Sequence, residues 1–383
     1  MRLVSWCRSP PGLGRHRPLA VAPLRWRSRE RSLHLAPPFL VDDYIPRFLT
    51  LSEIEASKKR SRAYGHLRNC NLCPRLCGVN RYETTGMCLI GGDTAKVNVI
   101  APHFGEGKAH VVSRCDYDTD THPPDRAVCP GAQWQRKRLL QNHDISHQRN
   151  GMDLTPEELA DWFLKLQEVG SVHNINLITP EHVVPQVALA LLHARTNGLT
   201  LPIIYNTSAY DSLASLELLD GLVDMYLPDF KVWEPTTSRR LLKADDYAAT
   251  ARESIKAMHA QVGDLCFTPD GIAKKGVLVR HLVMPGLEEE GATIMQWLAE
   301  ELSRDVFVNI MEQYHPDAYV GKPKRAGKSQ GGNADDDEGS SKVRYADINR
   351  AVTDKEVSAV RKAAEKAGLW RFCDPPRHYG FNL

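Results

Sequence analysis

The sequence lacks several features that would each point to a particular class of protein. It contains no uninterrupted apolar run of the roughly 18–20 residues that a membrane-spanning helix needs. It also has no excess of charge of one sign, because 49 basic and 47 acidic residues leave a net charge of +2. A balanced charge gives no reason to expect nucleic acid or an anionic membrane as a partner. We therefore expect a soluble protein that binds neither.

The sequence motifs of several common enzyme classes are absent as well. There is no Walker loop, no His-Glu-x-x-His pair and no Ser/His/Asp nucleophile signature. No Gly-x-Gly-x-x-Gly turn follows any apolar strand, which removes the main support for a dinucleotide-binding fold. With 42% apolar residues in 383 positions, the chain can nevertheless bury a substantial core, in one large α/β domain or two smaller ones.

The first 35 residues differ in composition from the rest of the chain. They hold eight arginines against a single acid, Glu30, and no apolar signal-peptide core. This composition resembles a mitochondrial transit peptide, although four prolines weaken the amphipathic helix that such a peptide forms. A disordered basic arm, or a start placed too far upstream, is the alternative. We expect an intracellular protein, in the mitochondrion or the cytoplasm.

Helix and strand signals alternate from residue 154 onward. Thr155 to Glu158 form a capping box with proline at the first helical position, and Gly170 ends that helix. Four more helical regions are predicted at about 182–197, 211–220, 236–262 (two stretches) and 288–303, and a last one, preceded by Thr353, at 353–367. Short apolar strands are predicted between them at 174–178, 201–205, 223–227, 277–284 and 306–311.

This alternation predicts repeated βαβ units, and hence a parallel sheet covered by helices. The strands are continuously apolar, as expected for strands buried on both faces. A closed or partly closed (β/α) barrel is favoured over an open doubly wound sheet. Residues 321–342 are of low complexity with almost no apolar side chain, so we expect a disordered insertion there.

Nine cysteines are distributed unevenly along the chain. Four of them fall within nineteen residues: Cys70, Cys73, Cys77 and Cys88. Clustered thiols without a secretion signal favour one metal site over a disulfide framework. Four sulfur ligands suit a tetrahedral zinc ion and an iron–sulfur cluster equally well, and the alternative is a set of free buried cysteines.

Polar residues follow the predicted strands at their carboxyl ends. In barrels of parallel strands these ends form one rim, where active sites are built. Each residue alone is more often a helix cap, so the prediction depends on their convergence. The candidates lie at 179–182, 206–208, 228–231, 281 with 285–286, and 312–314.

Eight segments of the sequence form a recognisable set: CNLCPRLCGVNR (70–81), HFGEG (103–107), QNHDISHQRNG (141–151), HNINLITPEHVVPQ (173–186), LPIIYNTSAYDS (201–212), DMYLPDFK (224–231), GVLVRHLVMPG (276–286) and YADINR (345–350). Together they resemble the radical S-adenosylmethionine proteins, in the branch similar to pyruvate formate-lyase-activating enzyme. The resemblance covers about 66–112 and 141–383.

The resemblance implies a fold, two cofactors and a reaction. The fold is a partial (β/α)6 barrel with a Cys-rich N-terminal extension, holding a [4Fe–4S] cluster and S-adenosylmethionine at the strand ends. Reductive cleavage of that cofactor, with electrons from a flavodoxin- or ferredoxin-type donor, gives a 5′-deoxyadenosyl radical. The radical abstracts hydrogen from a substrate, and the resemblance implies activation of a protein in this way. The residues that would line the S-adenosylmethionine pocket are Asn142, Asn176, Thr179, Asn206, Asp229, Lys231 and His281.

One segment departs from the family pattern. The family's Cys-x3-Cys-x2-Cys loop ends on a cysteine directly before Gln141-Asn142, where this chain has Leu140. Residues 113–140 hold only Cys115 and Cys129 and lack a glycine-rich strand, so the first barrel strand and the cluster loop are expected to be missing. The segment is either a replaced piece, such as an unremoved intron or a skipped exon, or a genuinely divergent sequence.

The set of Cys70, Cys73, Cys77 and Cys88 does not replace that loop. Its first three cysteines are separated by two and then three residues, whereas those of the family's loop are separated by three and then two. We assign it to a separate metal site, with zinc or a second iron–sulfur cluster. The predicted organisation is a basic arm (1–35), a Cys-rich element (66–112), an anomalous segment (113–140), a barrel (141–320), an insertion (321–342) and a C-terminal helical segment (343–383).

Three functions remain open on the sequence alone. The first is a radical S-adenosylmethionine oxidoreductase, which is expected to be inactive with this sequence because the cluster loop is missing. The second is a non-catalytic zinc- or iron–sulfur-binding barrel that binds a ligand or a protein partner. The third is a metal-independent barrel enzyme, which the cysteine cluster makes less favourable. The catalytic residues and the substrate are not identifiable from the sequence.

Metal content is the first testable consequence. Anaerobic reconstitution with iron and sulfide is expected to yield at most the iron of one cluster, because only one cysteine set is complete. Replacing Cys70 and Cys73 by serine should remove that iron. Zinc near one equivalent in aerobically purified protein would favour the non-catalytic alternative. Cleavage of S-adenosylmethionine by this chain would contradict the missing loop.

Overall fold

The structure is a computed structural model that describes residues 35–101, 127–130, 151–170, 172–316, 320–322 and 343–373. The basic arm, Asn142 and most of the anomalous segment and the insertion therefore lie outside the described residues. None of the helices in these ranges has the length and apolar character needed to cross a membrane.

Nine α-helices are present in the described ranges, and most of them follow a strand of the sheet. Two of them continue into π-helical turns, Ser238–Leu242 and Leu298–Leu302. The α-helices are α1 (Arg47–Thr50), α2 (Glu53–Arg68), α3 (Pro156–Gly170), α4 (Val184–Thr196), α5 (Leu213–Leu219), α6 (Pro235–Thr237), α7 (Tyr247–Val262), α8 (Glu288–Trp297) and α9 (Asp354–Ala367).

Nine strands form one sheet in the same ranges. They are β1 (Ala95–Ala101), β2 (Ala127–Pro130), β3 (Met152–Leu154), β4 (Ile175–Ile178), β5 (Ile203–Thr207), β6 (Met225–Pro228), β7 (Cys266–Phe267), β8 (Ala273–Leu282) and β9 (Phe307–Met311). Strands β2, β4, β5, β6, β8 and β9 pair in parallel, in chain order. Strand β1 pairs antiparallel with β2 and β3, and β7 pairs antiparallel with β8. The predicted α/β class is confirmed.

The expectation that the first parallel strand is missing is wrong. Strand β2 lies inside the anomalous segment and pairs in parallel with β4, through Val128 and Leu177. A four-residue strand ending in proline, between polar stretches, carries too little apolar periodicity to be recognised. The absence of the Cys-x3-Cys-x2-Cys spacing is a property of the sequence and is unaffected.

The predicted helix ends are confirmed at two positions. The backbone N–H of Glu158 donates to the Thr155 hydroxyl, and the Thr155 N–H donates to the Glu158 carboxylate. Thr353 and Glu356 form the same reciprocal pair at the start of α9. Such boxes satisfy N–H groups that have no partner inside the helix.

The two faces of the parallel sheet bury separate apolar clusters. Register pairs Asn176 with Ile204, Ile204 with Met225, and Leu278 with Phe307, and paired residues share a face. We call this the small-core face, because Ile204, Met225, Leu227, Leu278 and Phe307 belong to a small cluster with Leu265, Phe267, Ala273 and Cys373. The alternate residues, including Leu177, Tyr205 and Val279, belong to the large cluster shared with the helices.

A buried carboxylate fastens the N-terminal segment to the amino ends of the parallel strands. Asp224, directly before β6, accepts hydrogen bonds from the Tyr44 hydroxyl (2.6 Å), the Arg47 N–H (2.7 Å) and the Ile203 N–H (2.6 Å). It is fully buried. The N-terminal segment is thereby held against β5 and β6 through a single side chain.

Replacing Asp224 by alanine should therefore lower the free energy of unfolding strongly. One buried and two partly buried donors would lose their acceptor, for an expected loss of about 3 kcal/mol. Asp220 is a matched control, since it also pairs with Arg47 but has a half-exposed side chain, and Asp220→Ala should cost less than about 1 kcal/mol. Urea unfolding of both variants measures the difference, and equal losses would contradict the role of Asp224.

Candidate ligand site at the strand ends and the cysteine element

The carboxyl ends of three parallel strands are joined by one arginine. Arg280 on β8 donates from Nε to Asp229 Oδ1 (2.7 Å) and from Nη2 to Asn206 Oδ1 (2.7 Å). Asp229 follows β6, and Asn206 lies on β5. The Arg280 side chain is 9% exposed and that of Asp229 is 15% exposed. We call Asn206, Asp229, Lys231 and Arg280 the strand-end network.

Lys231 adds a second cation to this network. Its Nζ lies 2.8 Å from Asp229 Oδ2, so each carboxylate oxygen has a cationic partner. Burial alone would raise the pKa of Asp229, but the Arg280 and Lys231 cations outweigh it and hold the pKa below its ordinary value. The Tyr247 hydroxyl donates to the Asp229 carbonyl (2.6 Å) and accepts from the Lys231 N–H (3.1 Å), which fixes the backbone. The pair is thus a partly buried, charged element of the rim.

Asn176 lies within β4, level with Ile204 of β5, and Thr179 directly follows β4, level with the end of β5. Asn176 is on the small-core face, and its buried Oδ1 has no hydrogen-bond partner among the described residues. A buried acceptor of this kind costs stability unless something else satisfies it. Thr179 has a φ of 53°, which is rare for a β-branched residue, and its N–H donates to the Asn206 carbonyl (2.7 Å). Unusual backbone of this kind is often found at functional sites.

His281 does not face the strand-end network, contrary to the expected position. Alternation along β8 turns Arg280 to the small-core face and His281 to the helix-covered face. There its Nδ1 lies 2.8 Å from the Phe230 carbonyl, and burial lowers its pKa. The ring packs at Gly291 on α8, where an added Cβ would lie 2.7 Å from Nε2. A lone arginine within the apolar strand 277–284 was the signal that could have identified Arg280.

A buried pair of carboxyl groups lies between the loops after β4 and β5. Thr207 Oγ1 is 2.9 Å from Glu181 Oε1 and 2.6 Å from Asp211 Oδ2, and the Ser208 N–H donates to Glu181 Oε1 (2.6 Å). Burial, and then the Glu181 charge, raise the pKa of Asp211 to about 7. One hydroxyl proton cannot serve both carboxylates, so the arrangement is satisfied when Asp211 is protonated and donates to Thr207. Asp211 is not among the residues predicted from the sequence, because only the fold brings it beside Glu181.

The four clustered cysteines are reduced and lie in one loop-rich element over these loops. Added at Gly86, a Cβ would lie 3.4 Å from Cys77 Sγ and 3.7 Å from Cys88 Sγ, so both sulfurs border this glycine. Burial and then Asp246 raise the pKa of Tyr210, and Cys73 lies close enough to add to this shift. In the part of the chain that the structure describes, no three His, Cys, Asp or Glu side chains are arranged to hold a metal ion.

Arg81 is the polar side chain that reaches into this element. Its Nε donates to Cys70 Sγ (3.2 Å) and its Nη2 to Cys88 Sγ (3.5 Å). Its Nη1 donates to the His182 carbonyl at the strand ends (2.6 Å). Burial raises the pKa of the Cys88 thiol, and Arg81 acts in the opposite direction. The spacing of the cysteines alone did not reveal this arginine.

A cavity of about 610 Å³ lies between the cysteine element and the loops after β5 and β6. Arg75 and Met87 line it from the element, and Tyr210, Arg239 and Asp245 line it from the loops. The Tyr210 ring stacks on Tyr247, with centroids 6.1 Å apart. Tyr247 in turn donates from its hydroxyl to the Asp229 carbonyl, and the volume of the cavity is within the usual range for small-ligand pockets.

Comparison with known proteins gives one distant relative to report. No family model matches the chain. A protein of Methanocaldococcus jannaschii, described as uncharacterized protein MJ0674, is 25% identical over 310 residues, which cover 79% of this chain and 76% of the relative. This similarity extends over most of both chains, and the relative's description names no activity.

The buried acid pair gives a prediction about pH and stability. The pKa of Asp211 is raised from its ordinary 3.8 to about 7, so its stabilising contribution is complete below the ordinary value and is lost as the pH rises through 7. The midpoint of unfolding should therefore decrease when the pH is raised from 5.5 to 8. The fall should shrink in Asp211→Asn, which keeps a donor at every pH, but persist in the control Asp220→Asn. An unchanged fall in Asp211→Asn would contradict the assignment.

Proposed function

We propose that this chain is a barrel protein of the radical S-adenosylmethionine type, which binds S-adenosylmethionine at the strand-end network. Six parallel strands in chain order support a partial (β/α)6 barrel, with the small-core face inside. The observation that carries the proposal is the placement of Asn206, Asp229 and Arg280, from three strands, at one edge of that face.

The chemistry of the network suits this ligand. S-adenosylmethionine has a carboxylate, an ammonium group, a sulfonium, ribose hydroxyls and an adenine ring. Arg280 and Lys231 are cations for the carboxylate, and Asp229 is an anion for the ammonium group or the hydroxyls. The unpartnered Asn176 oxygen is an acceptor for a ligand N–H or O–H. Thr179 and Asn206 complete the predicted pocket at the ends of β4 and β5, and Asn142 lies outside the described residues.

The chain's own residues do not fit the catalytic cluster. A site-differentiated [4Fe–4S] cluster, when bound, supplies the electron that cleaves the sulfonium, and it needs three closely spaced cysteines. Leu140 stands at the position of the third, and Cys115 and Cys129 lie fourteen residues apart. We therefore assign no reaction step to this chain. Because this chain lacks that loop, the proposal for it includes neither a protein substrate nor an electron donor of the flavodoxin or ferredoxin type.

We propose a separate, structural metal at the cysteine element, on the chemistry of its donor set and of Arg81 beside it. The chemistry of four sulfur donors suits zinc or an iron–sulfur cluster. Arg81 is 4% exposed, and no carboxylate among the described residues forms an ion pair with it. A buried cation needs negative charge nearby. Thiolates on Cys70 and Cys88, as in a metal-bound state, would provide that charge, and Cys73 and Cys77 would complete the ligand set.

The second candidate function is a non-catalytic module in which the metal is structural and the barrel binds a ligand or protein. The missing Cys-x3-Cys-x2-Cys spacing favours it over an active radical enzyme. Both candidates share the strand-end ligand site, and they differ in whether bound S-adenosylmethionine is cleaved.

Calorimetric titration with S-adenosylmethionine tests the shared site. We expect Arg280→Met to weaken binding at least about tenfold, since a charged hydrogen-bond partner contributes about 1.5–3 kcal/mol. His281→Asn, a change of the adjacent residue on the opposite face, should stay within about threefold of the original affinity. If Arg280→Met folds poorly, Arg280→Lys is measured instead. Lysine keeps the positive charge but loses the planar guanidinium, so this variant separates the effect of charge on affinity from that of geometry. Absence of binding by the unaltered chain would refute the proposal.

A further inference from the structure

The cysteine element is fastened to the loops that carry the strand-end residues. The Ser212 hydroxyl donates to the Asn71 carbonyl (2.7 Å), and the Ser212 N–H donates to the Leu72 carbonyl (3.2 Å). On the other side, Gln186 Nε2 donates to the Gly92 carbonyl (3.0 Å). The element therefore packs on the segments after β4 and β5 and does not form a separate unit.

The Arg81 side chain contacts both cysteine sulfur and a strand-end loop. It makes two hydrogen bonds to sulfur and one to the His182 carbonyl. Its five N–H donors lie in one rigid plane, so a change in the position of Cys70 and Cys88 must change its bond to His182. The guanidinium thus joins the sulfur positions to the loop after β4.

His182 belongs to the loop after β4, and other residues of the same loop are hydrogen-bonded to the loop after β5 and to the strand-end network. The neighbouring Glu181 accepts from the Ser208 N–H (2.6 Å) and holds the loop after β5. In the same loop after β4, the Thr179 N–H donates to the Asn206 carbonyl (2.7 Å). Asn206 in turn accepts from Arg280. Every step joins buried or half-buried groups, which solvent screens little.

We infer that metal binding at the cysteine element and ligand binding at the strand-end network are coupled through Arg81, which acts as a positioning residue. Metal-bound thiolates hold the guanidinium, and the guanidinium holds the loop that carries Thr179 and Glu181 in its ligand-binding position. The inference rests on the proposed function, because it needs both a metal and S-adenosylmethionine. Coupling of this kind is reciprocal, so ligand binding should also tighten the metal.

The test is a double-mutant cycle in which one perturbation is removal of the metal. The affinity for S-adenosylmethionine is measured by calorimetry on zinc-loaded and chelator-treated protein, for the unaltered chain, Arg81→Met and Arg81→Lys. Removing zinc should weaken binding at least about fivefold in the unaltered chain. In Arg81→Met the affinity should be independent of zinc. In Arg81→Lys the effect should be intermediate, because an ammonium group cannot reach three separated acceptors.

Arg195→Met is the matched control. Arg195 is another partly buried arginine, on α4, and it contacts Glu53 and the Leu51 carbonyl, remote from the sulfurs. In Arg195→Met, the affinity for S-adenosylmethionine should depend on zinc as strongly as in the unaltered chain. Circular dichroism and zinc content are recorded for every sample, and Arg81→Lys provides the comparison if Arg81→Met does not fold.

The outcomes separate the inference from the proposed function. Absence of zinc or iron from every preparation refutes the metal site, and absence of S-adenosylmethionine binding refutes the ligand site. If both bind to the unaltered chain and its affinity does not depend on zinc, coupling is overturned while the proposed function stands. Loss of the dependence in Arg195→Met as well as in Arg81→Met would overturn the specific role of Arg81.

Discussion

The interaction on which the strand-end site depends is the one between Arg280, Asp229 and Asn206. A guanidinium on an otherwise apolar face of a sheet is costly unless acceptors from neighbouring strands surround it. Here β5 and β6 supply an amide and a carboxylate oxygen at 2.7 Å each. The same face is apolar toward the amino ends of the strands, at Ile204, Met225 and Leu278. The small-core face therefore combines an apolar core with a charged rim, which is the arrangement that a site for a polar ligand needs.

Much of the fold could be predicted from the sequence, because its determinants are local. Apolar runs between capped helices located five of the six parallel strands, and the boxes at Thr155 and Thr353 fixed two helix starts. Strand β2 is too short to carry a pattern. For the candidate site, the order of strands and loops predicts which residues lie near the carboxyl ends of the strands, but the face that each residue occupies depends on register. A shift of one residue in the register of β8 would exchange the faces on which Arg280 and His281 lie. The role of Arg81 is recognised only from its contact with His182, which is distant in sequence.

The cysteine element adds a second charged centre whose environment is unlike that of the first. At the strand ends, cations and a carboxylate compensate one another, whereas the buried Arg81 has only sulfur and carbonyl acceptors among the described residues. A thiolate-bound metal would balance that charge. Both centres meet at the loop after β4, which holds Thr179 at positive φ. Backbone in such a conformation persists only where its surroundings determine it, and here those surroundings include both centres.

Hydrogen exchange measured with and without S-adenosylmethionine tests the location of the proposed site most directly. The amide groups of 179–182, 206–208, 229–231 and 280–282 are contributed by four separate strand ends, so a ligand bound at the network would slow exchange in all four segments together. We predict protection there, and none at the amino ends of the same strands around Asp224. Protection confined to other segments, or none at saturating ligand, would contradict the proposed site.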